Sequence, residues 1–227
     1  MKKQVKELWV WPPGASGNFV MTHYYGDGEI KPNNEYQVKG PVKWIPMFFN
    51  KVHANHYLKL GHTIRQDVYS SNLQKLLNST EENLSWHWLP IFLKKHLDIN
   101  EIHYILPKPE IQWYISFLTL LKNTTINTYD NFVNDLLEHS NTKLLEYEYK
   151  QRIDEVNSFK TNKTNIIDYE SLFFNYDAEL LDRYNLTKDV VEKYTYDNIE
   201  LIKQFINKNL NAEQQAYFMS QIRKLEK

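Results

Sequence analysis

Val5-Lys6-Glu7-Leu8-Trp9-Val10-Trp11-Pro12-Pro13-Gly14-Ala15-Ser16-Gly17-Asn18-Phe19 is the stretch on which the reading of the fold turns. Residues 5–11 are a short aromatic and β-branched run, the composition of a buried strand, and Pro12-Pro13-Gly14 stops it. Residues 18–25 then carry helix-compatible apolar side chains until Gly26-Asp27-Gly28 breaks them. Strand, glycine turn and short helix predict the first unit of a parallel α/β sheet, whose ligands sit beyond the carboxyl ends of the strands. Gly14 and Gly17 permit tight backbone geometry, and successive amides from Ala15 to Phe19 converge on an anion at the helix N-terminus. Ser16 adds a hydroxyl donor. The turn from Pro13 to Asn18 therefore reads as an anion cradle, with a ligand-free strand-to-helix turn as the plain alternative.

Outward from this turn, residues 29–51 hold Pro32, Gly40, Pro41 and Pro46 among aromatics and predict an irregular excursion. A helix is expected over 67–77 with Asp67 as its cap, then a strand over 84–88 and a helical connection over 90–97. The run Ile102-His103-Tyr104-Ile105-Leu106 makes 101–106 a third strand, ended by Pro107-Lys108-Pro109, and 110–122 follows as an amphipathic helix. Helices are expected over 129–139 and 142–156, a polar linker over 159–165, a fourth strand over 165–169, and helices over 176–184, 190–207 and 212–225. Strands separated by helices imply an α/β, three-layer P-loop-type fold with a central parallel sheet of about four or five strands flanked by helices. One domain over 1–227 is expected, helical from about residue 176.

Composition narrows the function classes. With 27 basic and 28 acidic residues the net charge is -1, so no global field gathers nucleic acid or anionic lipid. The absence of cysteine excludes disulfides, thiolate zinc sites and thiol nucleophiles, and fits a cytoplasmic setting. The apolar stretch at Leu8 to Trp11 is too short for a signal segment, and no run of about 18 apolar residues offers a membrane span. No nucleic-acid or membrane partner is expected, and the oligomeric state is left open. The turn also lacks the Gly-Lys-Ser/Thr ending that brings a lysine to the β/γ-phosphates and a hydroxyl to magnesium, which disfavours a kinase or GTPase.

Four segments, in order, resemble the sulfotransferases that use a 3'-phosphoadenylyl sulfate donor. That family's loop Pro-Lys-Ser-Gly-Thr-Thr holds the donor's 5'-phosphosulfate, and Pro13-Gly14-Ala15-Ser16-Gly17-Asn18-Phe19 is similar to it, with the Ser-Gly pair matching. Ser85-Trp86-His87-Trp88-Leu89-Pro90 looks like the family's Thr-His-Leu/Trp-Pro strand end. Ile102-His103-Tyr104-Ile105-Leu106-Pro107-Lys108-Pro109, with Ser116, resembles the 3'-phosphate motif Ile-Tyr-Ile-Leu-Arg-Asn/Asp-Pro and its serine eight positions after the arginine. Lys108 and Ser116 reproduce that spacing; the competing register aligns Pro109 with the family proline and puts Pro107 at the arginine. Ile166-Ile167-Asp168-Tyr169-Glu170-Ser171-Leu172-Phe173 is similar to the Tyr-Glu-Asp-Leu segment.

The resemblance implies a divergent P-loop sulfotransferase with a 3'-phosphoadenylyl sulfate co-substrate and no required metal. Its donor site would comprise Gly14, Ala15, Ser16, Gly17, Asn18, Phe19, Lys108 and Ser116. Ala15 stands where the family has the lysine that neutralises the transferring sulfonate, which removes that stabilisation. Lys108 in place of arginine offers a point charge without the planar fork. His87, near the end of a predicted strand, is the expected general base; packing between Trp86 and Trp88 is its bland reading. Glu170 is read as structural. The alternative function is a catalytically silent nucleotide- or anion-binding module on the same scaffold. His53, His56 and His62 form a metal candidate against ordinary packing, Arg65 a phosphate candidate, and the six Trp and 16 Tyr are read mostly as core.

Overall fold

The computed structural model describes residues 2–12, 14–26, 28–30, 36–38, 42–44, 77–78, 83–86, 94–122, 137 and 142–226. In chain order these form β1 (Lys3–Val10), α1 (Gly17–Tyr25), β2 (Gly28–Ile30), β3 (Tyr36–Val38), β4 (Val42–Trp44), β5 (Asn83–Trp86) and β6 (Leu97–Leu106). A 3-10 turn (Pro109–Ile111), α2 (Gln112–Lys122), α3 (Thr142–Asn157), β7 (Lys163–Asp168), α4 (Tyr169–Phe173), α5 (Ala178–Arg183), α6 (Lys188–Asn209) and α7 (Ala212–Leu225) follow.

Five strands make one sheet in the order β4-β5-β1-β6-β7, and every neighbouring pair is parallel. The central pair runs in register from Lys3 opposite Leu97 to Val10 opposite Tyr104. Both of these chain segments are buried on consecutive residues, Leu8–Trp11 and Ile102–Leu106, because helices cover both faces of the sheet. One core gathers Trp9, Ile105 and Ile167 under α1, α2 and the C-terminal helices. The other packs Leu8, Val10, Ile102, Tyr104 and Leu106 against Val156 of α3. The result is a three-layer α/β fold with a parallel sheet. The chain leaves β1 toward the β4 edge and leaves β6 toward the β7 edge, so the strand order reverses between these two central strands, the topological switch point of the sheet.

Several elements follow from local chemistry. Gly26 ends α1 in the left-handed region (φ 69) and returns its N–H to Thr22 O, which suits a residue without Cβ. Thr187 caps α6 at Val190 N, and Asn211 with Gln214 forms a reciprocal capping box on α7, devices that contribute about 1 kcal/mol each. Residues 29–51, expected to be irregular, contain the antiparallel β2–β3 hairpin beside α1 and the edge strand β4. Three-residue strands are too short to show a period of two. Leu97 opens β6 rather than closing a helix, and β7 starts at Lys163 inside the expected linker, because strand pairing with Lys3 and Glu101 outweighs the polar local pattern. The helices expected over 67–77 and 129–139 lie outside the described residues except at their Leu77 and Leu137 positions.

Two rows of side chains cross the central strands on one face. Glu7, Glu101 and Lys163 are register neighbours, as are Trp9, His103 and Asn165. His103 stacks on Trp9 at 4.2 Å and 12° and is 2% exposed. Its Nδ1 lies 3.2 Å from the Tyr184 hydroxyl and 3.4 Å from Asn165 Nδ2, while Nε2 faces Glu101 Oε1 at 3.4 Å without hydrogen-bond alignment. Glu101 accepts from Asn165 Nδ2 at 2.6 Å and pairs with Lys163 at 3.0 Å. Glu7 accepts from Tyr25 OH, which itself accepts from Trp9 Nε1 at 3.0 Å.

Burial lowers the His103 pKa to about 4, against the opposing pull of Glu101 and Glu7. Burial alone would raise Glu101, but the bonds from Lys163 and Asn165 and the charge of His103 hold it below its ordinary value. The unfolded chain, with an imidazole pKa of about 6.5, binds more protons than the native state below that pH. Stability is therefore expected to fall, on the order of a few kcal/mol, as pH drops from about 6.5 to about 4. Urea unfolding across that range should show the slope, and His103→Phe, which keeps a ring against Trp9, should flatten it while lowering stability at pH 7.5 by about 1 kcal/mol through the lost Tyr184 bond.

Candidate functional site

The loop after β1 is built from alternating backbone hands. Trp11 and Pro12 leave the strand buried, and Ala15 N–H closes a turn on Pro12 O at 3.0 Å. Gly14 is left-handed (φ 83), and so is Ser16 (φ 59, ψ 23), directly before the first helical residue, Gly17. A left-handed residue followed by a right-handed one turns three consecutive amides, here those of Ser16, Gly17 and Asn18, toward one point. The first intrahelical bond of α1 is Val20 N–H to Ser16 O at 3.2 Å, so the Gly17 and Asn18 amides project beyond the helix end. Ser16, the N-cap residue, makes no side-chain cap. Main-chain donors, the positive end of the helix and the carboxyl end of the central strand therefore coincide.

Both glycines in the loop are required by close approach. A Cβ on Gly14 would stand 2.4 Å from Ile115 O and 2.5 Å from Thr119 Oγ1 of α2. On Gly17 it would stand 2.0–2.5 Å from carbons of the Trp11 indole. The loop is thus wedged between α2, the helix that carries Ser116, and the indole that follows β1. Ala15 is fully buried and its methyl belongs to the core. Phe19 is also core, whereas Gly14 and Asn18 keep partial exposure.

Lys108 lies four residues past Tyr104, as Gly14 lies four past its register partner Val10, so the central strands deliver both to one edge of the sheet. There Lys108 Nζ pairs with Asp168 Oδ2 at 2.6 Å, and Lys108 N–H donates to Glu170 Oε2 at 3.3 Å. Asp168 also caps α4, accepting from Glu170 N and Ser171 Oγ, each at 3.1 Å. The bond to Asp168 raises the Lys108 pKa; burial would raise that of Asp168, but hydrogen bonds to the side chains of Lys108 and Glu170 lower it. Burial, with Asp168 beside it, raises the Glu170 carboxyl to about 7. The ammonium is already paired in this arrangement. Ser116 is the fifth residue of α2 and partly exposed.

His87, the expected base, lies outside the described residues, as do His53, His56, His62 and Arg65. Among the described residues no group of three His, Asp or Glu side chains is placed to hold a metal ion, and no helix is long and apolar enough to cross a membrane. Sequence reasoning missed the hydroxyls beneath the loop. Tyr194 OH donates to Ser16 Oγ at 3.0 Å, and Tyr169 OH lies 3.4 Å from the same oxygen. Tyr194 is 178 positions from Ser16, and no local pattern signals such a contact.

No protein-family model matches the chain, and no curated protein matches it. Among solved structures it is similar to a mouse sulfotransferase, SULT7A1, complexed with PAP, at 11% identity and a TM-score of 0.41, over 89% of this chain and 68% of that one. It is also similar to a sulfotransferase from Alicyclobacillus acidocaldarius, at 12% identity and a TM-score of 0.40, over 97% of this chain and 95% of that one.

The glycine contacts rank three substitutions. Gly17→Ala and Gly14→Ala are each expected to destabilise by about 3 kcal/mol or more, since the indole and the α2 backbone have no room to withdraw. Gly26→Ala, whose Cβ meets nothing within 4 Å, carries only the left-handed penalty of about 1 kcal/mol. Urea midpoints of the three variants check the order.

Proposed function

We propose that this protein is sulfotransferase-like, passing a sulfonate group from 3'-phosphoadenylyl sulfate to a hydroxyl or amine on a small molecule or glycan. The observation that carries the reading is the left-to-right-handed step at Ser16–Gly17, an uncapped helix start beyond the carboxyl end of the central strand. On this reading the amides of Ser16, Gly17 and Asn18 hold the 5'-phosphosulfate, and Lys108 and Ser116 take the 3'-phosphate. His87 accepts the proton as the acceptor oxygen or nitrogen attacks sulfur. The sulfur–oxygen bond to the 5'-phosphate breaks, and the charge that develops on the departing oxygen is met by the loop amides and the helix end. No metal is needed for that charge balance.

By resemblance Ala15 stands where the family has its loop lysine, so on this reading the loop amides carry the leaving group without that charge. That, with Lys108 already paired to Asp168, favours a second reading in which the scaffold binds a nucleotide or anion without turnover. The two readings diverge in one experiment.

Adenosine 3',5'-bisphosphate at millimolar concentration is expected to raise the thermal midpoint of the full chain, as any ligand of the native state does. Lys108→Ala should shrink the shift. Asp168→Asn, which retains a capping side chain but frees the ammonium, should enlarge it. Affinity should weaken as pH rises through about 7, because Glu170 then ionises beside the 3'-phosphate subsite. No shift at all overturns the donor site; a shift without sulfonate transfer to any of a panel of hydroxyl and amine acceptors selects the silent module.

A further inference from the structure

Ser16 adopts a conformation that its Cβ disfavours, since a left-handed L-residue brings Cβ toward the following carbonyl oxygen. Its hydroxyl does not repay this by capping α1. The oxygen is turned inward instead, to a site where Ser16, Tyr169 and Tyr194 are 6%, 1% and 7% exposed. Tyr194 makes the shorter of the two bonds, 3.0 Å against 3.4 Å, and the Tyr169 ring stacks on Phe173 at 4.4 Å. Tyr194 also stacks on Phe19 of α1 with ring centroids 4.0 Å apart and planes 14° apart. One side chain of α6 thus grips the loop at Ser16 and the helix it opens at Phe19. The grip is itself anchored, because the next residue, Thr195, donates to Phe173 O at 3.2 Å.

We infer that Tyr194 is the positioning residue of the loop: its hydroxyl holds Ser16 left-handed and so aims the amides of Ser16, Gly17 and Asn18 at a bound anion. The inference rests on the anion-binding reading of those amides for its consequence, but the hold itself is a property of the ligand-free protein. It makes α6 part of the site without touching the ligand. Tyr194→Phe retains the stacked ring and removes only the bond, and Ser16→Ala removes the same bond from the other side.

Hydrogen exchange of the ligand-free full chain tests the hold. In Tyr194→Phe, a peptide covering residues 12–21 should exchange about tenfold faster, the effect expected for one buried hydrogen bond, while peptides from β6 and α6 keep their rates. Ser16→Ala, which also removes the longer Tyr169 contact, should loosen the loop at least as much, and the double variant should be no faster than Ser16→Ala alone, since the Tyr194 bond is already lost in it. Loop exchange within twofold of the parent, or additive effects, overturns the inference. Calorimetry with adenosine 3',5'-bisphosphate then separates the two readings. Binding about tenfold weaker in Tyr194→Phe, and no weaker in the double variant than in Ser16→Ala, supports the positioning role. Binding unchanged in Tyr194→Phe overturns it while leaving the donor site standing. No binding by the parent, with the loop still loosened in Tyr194→Phe, sinks the donor site and leaves the hold intact.

Discussion

The parallel pairing of β1 with β6 is the constraint on which the rest of the molecule hangs. Because Lys3 to Val10 runs in register with Leu97 to Tyr104, the two chain segments that leave these strands emerge side by side at one edge of the sheet. The strand order reverses between them, so the following connections part to opposite sides of this point. The same register stacks Trp9 on His103 and sets Glu7 beside Glu101 half-way down one face. A slip of one residue would send these side chains to the opposite face and take the glycine loop out of line with Lys108.

Close packing then sharpens what the pairing positions. The loop is held between the α2 backbone and the Trp11 indole so tightly that neither Gly14 nor Gly17 has room for a methyl group. Interiors at this density tolerate little volume change, which makes the loop's shape a consequence of its surroundings rather than of its own preferences. The backbone hands that turn the amides of Ser16 to Asn18 to one point are thereby stabilised from outside: α2 on one side, the indole on another, and the hydroxyls of Tyr194 and Tyr169 beneath.

Charge is distributed sparingly around this edge. Asp168 serves both Lys108 and the start of α4, so the lysine's position is coupled to a helix cap. Glu170 shares the cluster at a pKa near neutrality because burial and a neighbouring carboxylate both oppose its ionisation. Such a cluster is responsive: its net charge changes with pH and with any anion that competes for the ammonium. The buried His103 network at the middle of the sheet is the opposite case, where burial keeps the imidazole neutral and its partners fixed.

Residues 5–19 by themselves determined the strand, the glycine turn and the helix, because a buried apolar run, a Pro-Pro-Gly stop and an apolar restart are local signals that tertiary context rarely reverses. The run at 102–106, the amphipathic pattern at 110–122 and the C-terminal helices were legible for the same reason. The strands at 28–30, 36–38 and 42–44 were not, being shorter than any period that reveals them. Neither was the pairing of Lys108 with Asp168, nor the bond of Tyr194 to Ser16, for sequence separation carries no information about which polar groups will meet. The chain's own residues name a Pro/Gly turn between strand and helix; only folding decides that its serine faces the core, its alanine is buried, and its outward amides are those of the helix start.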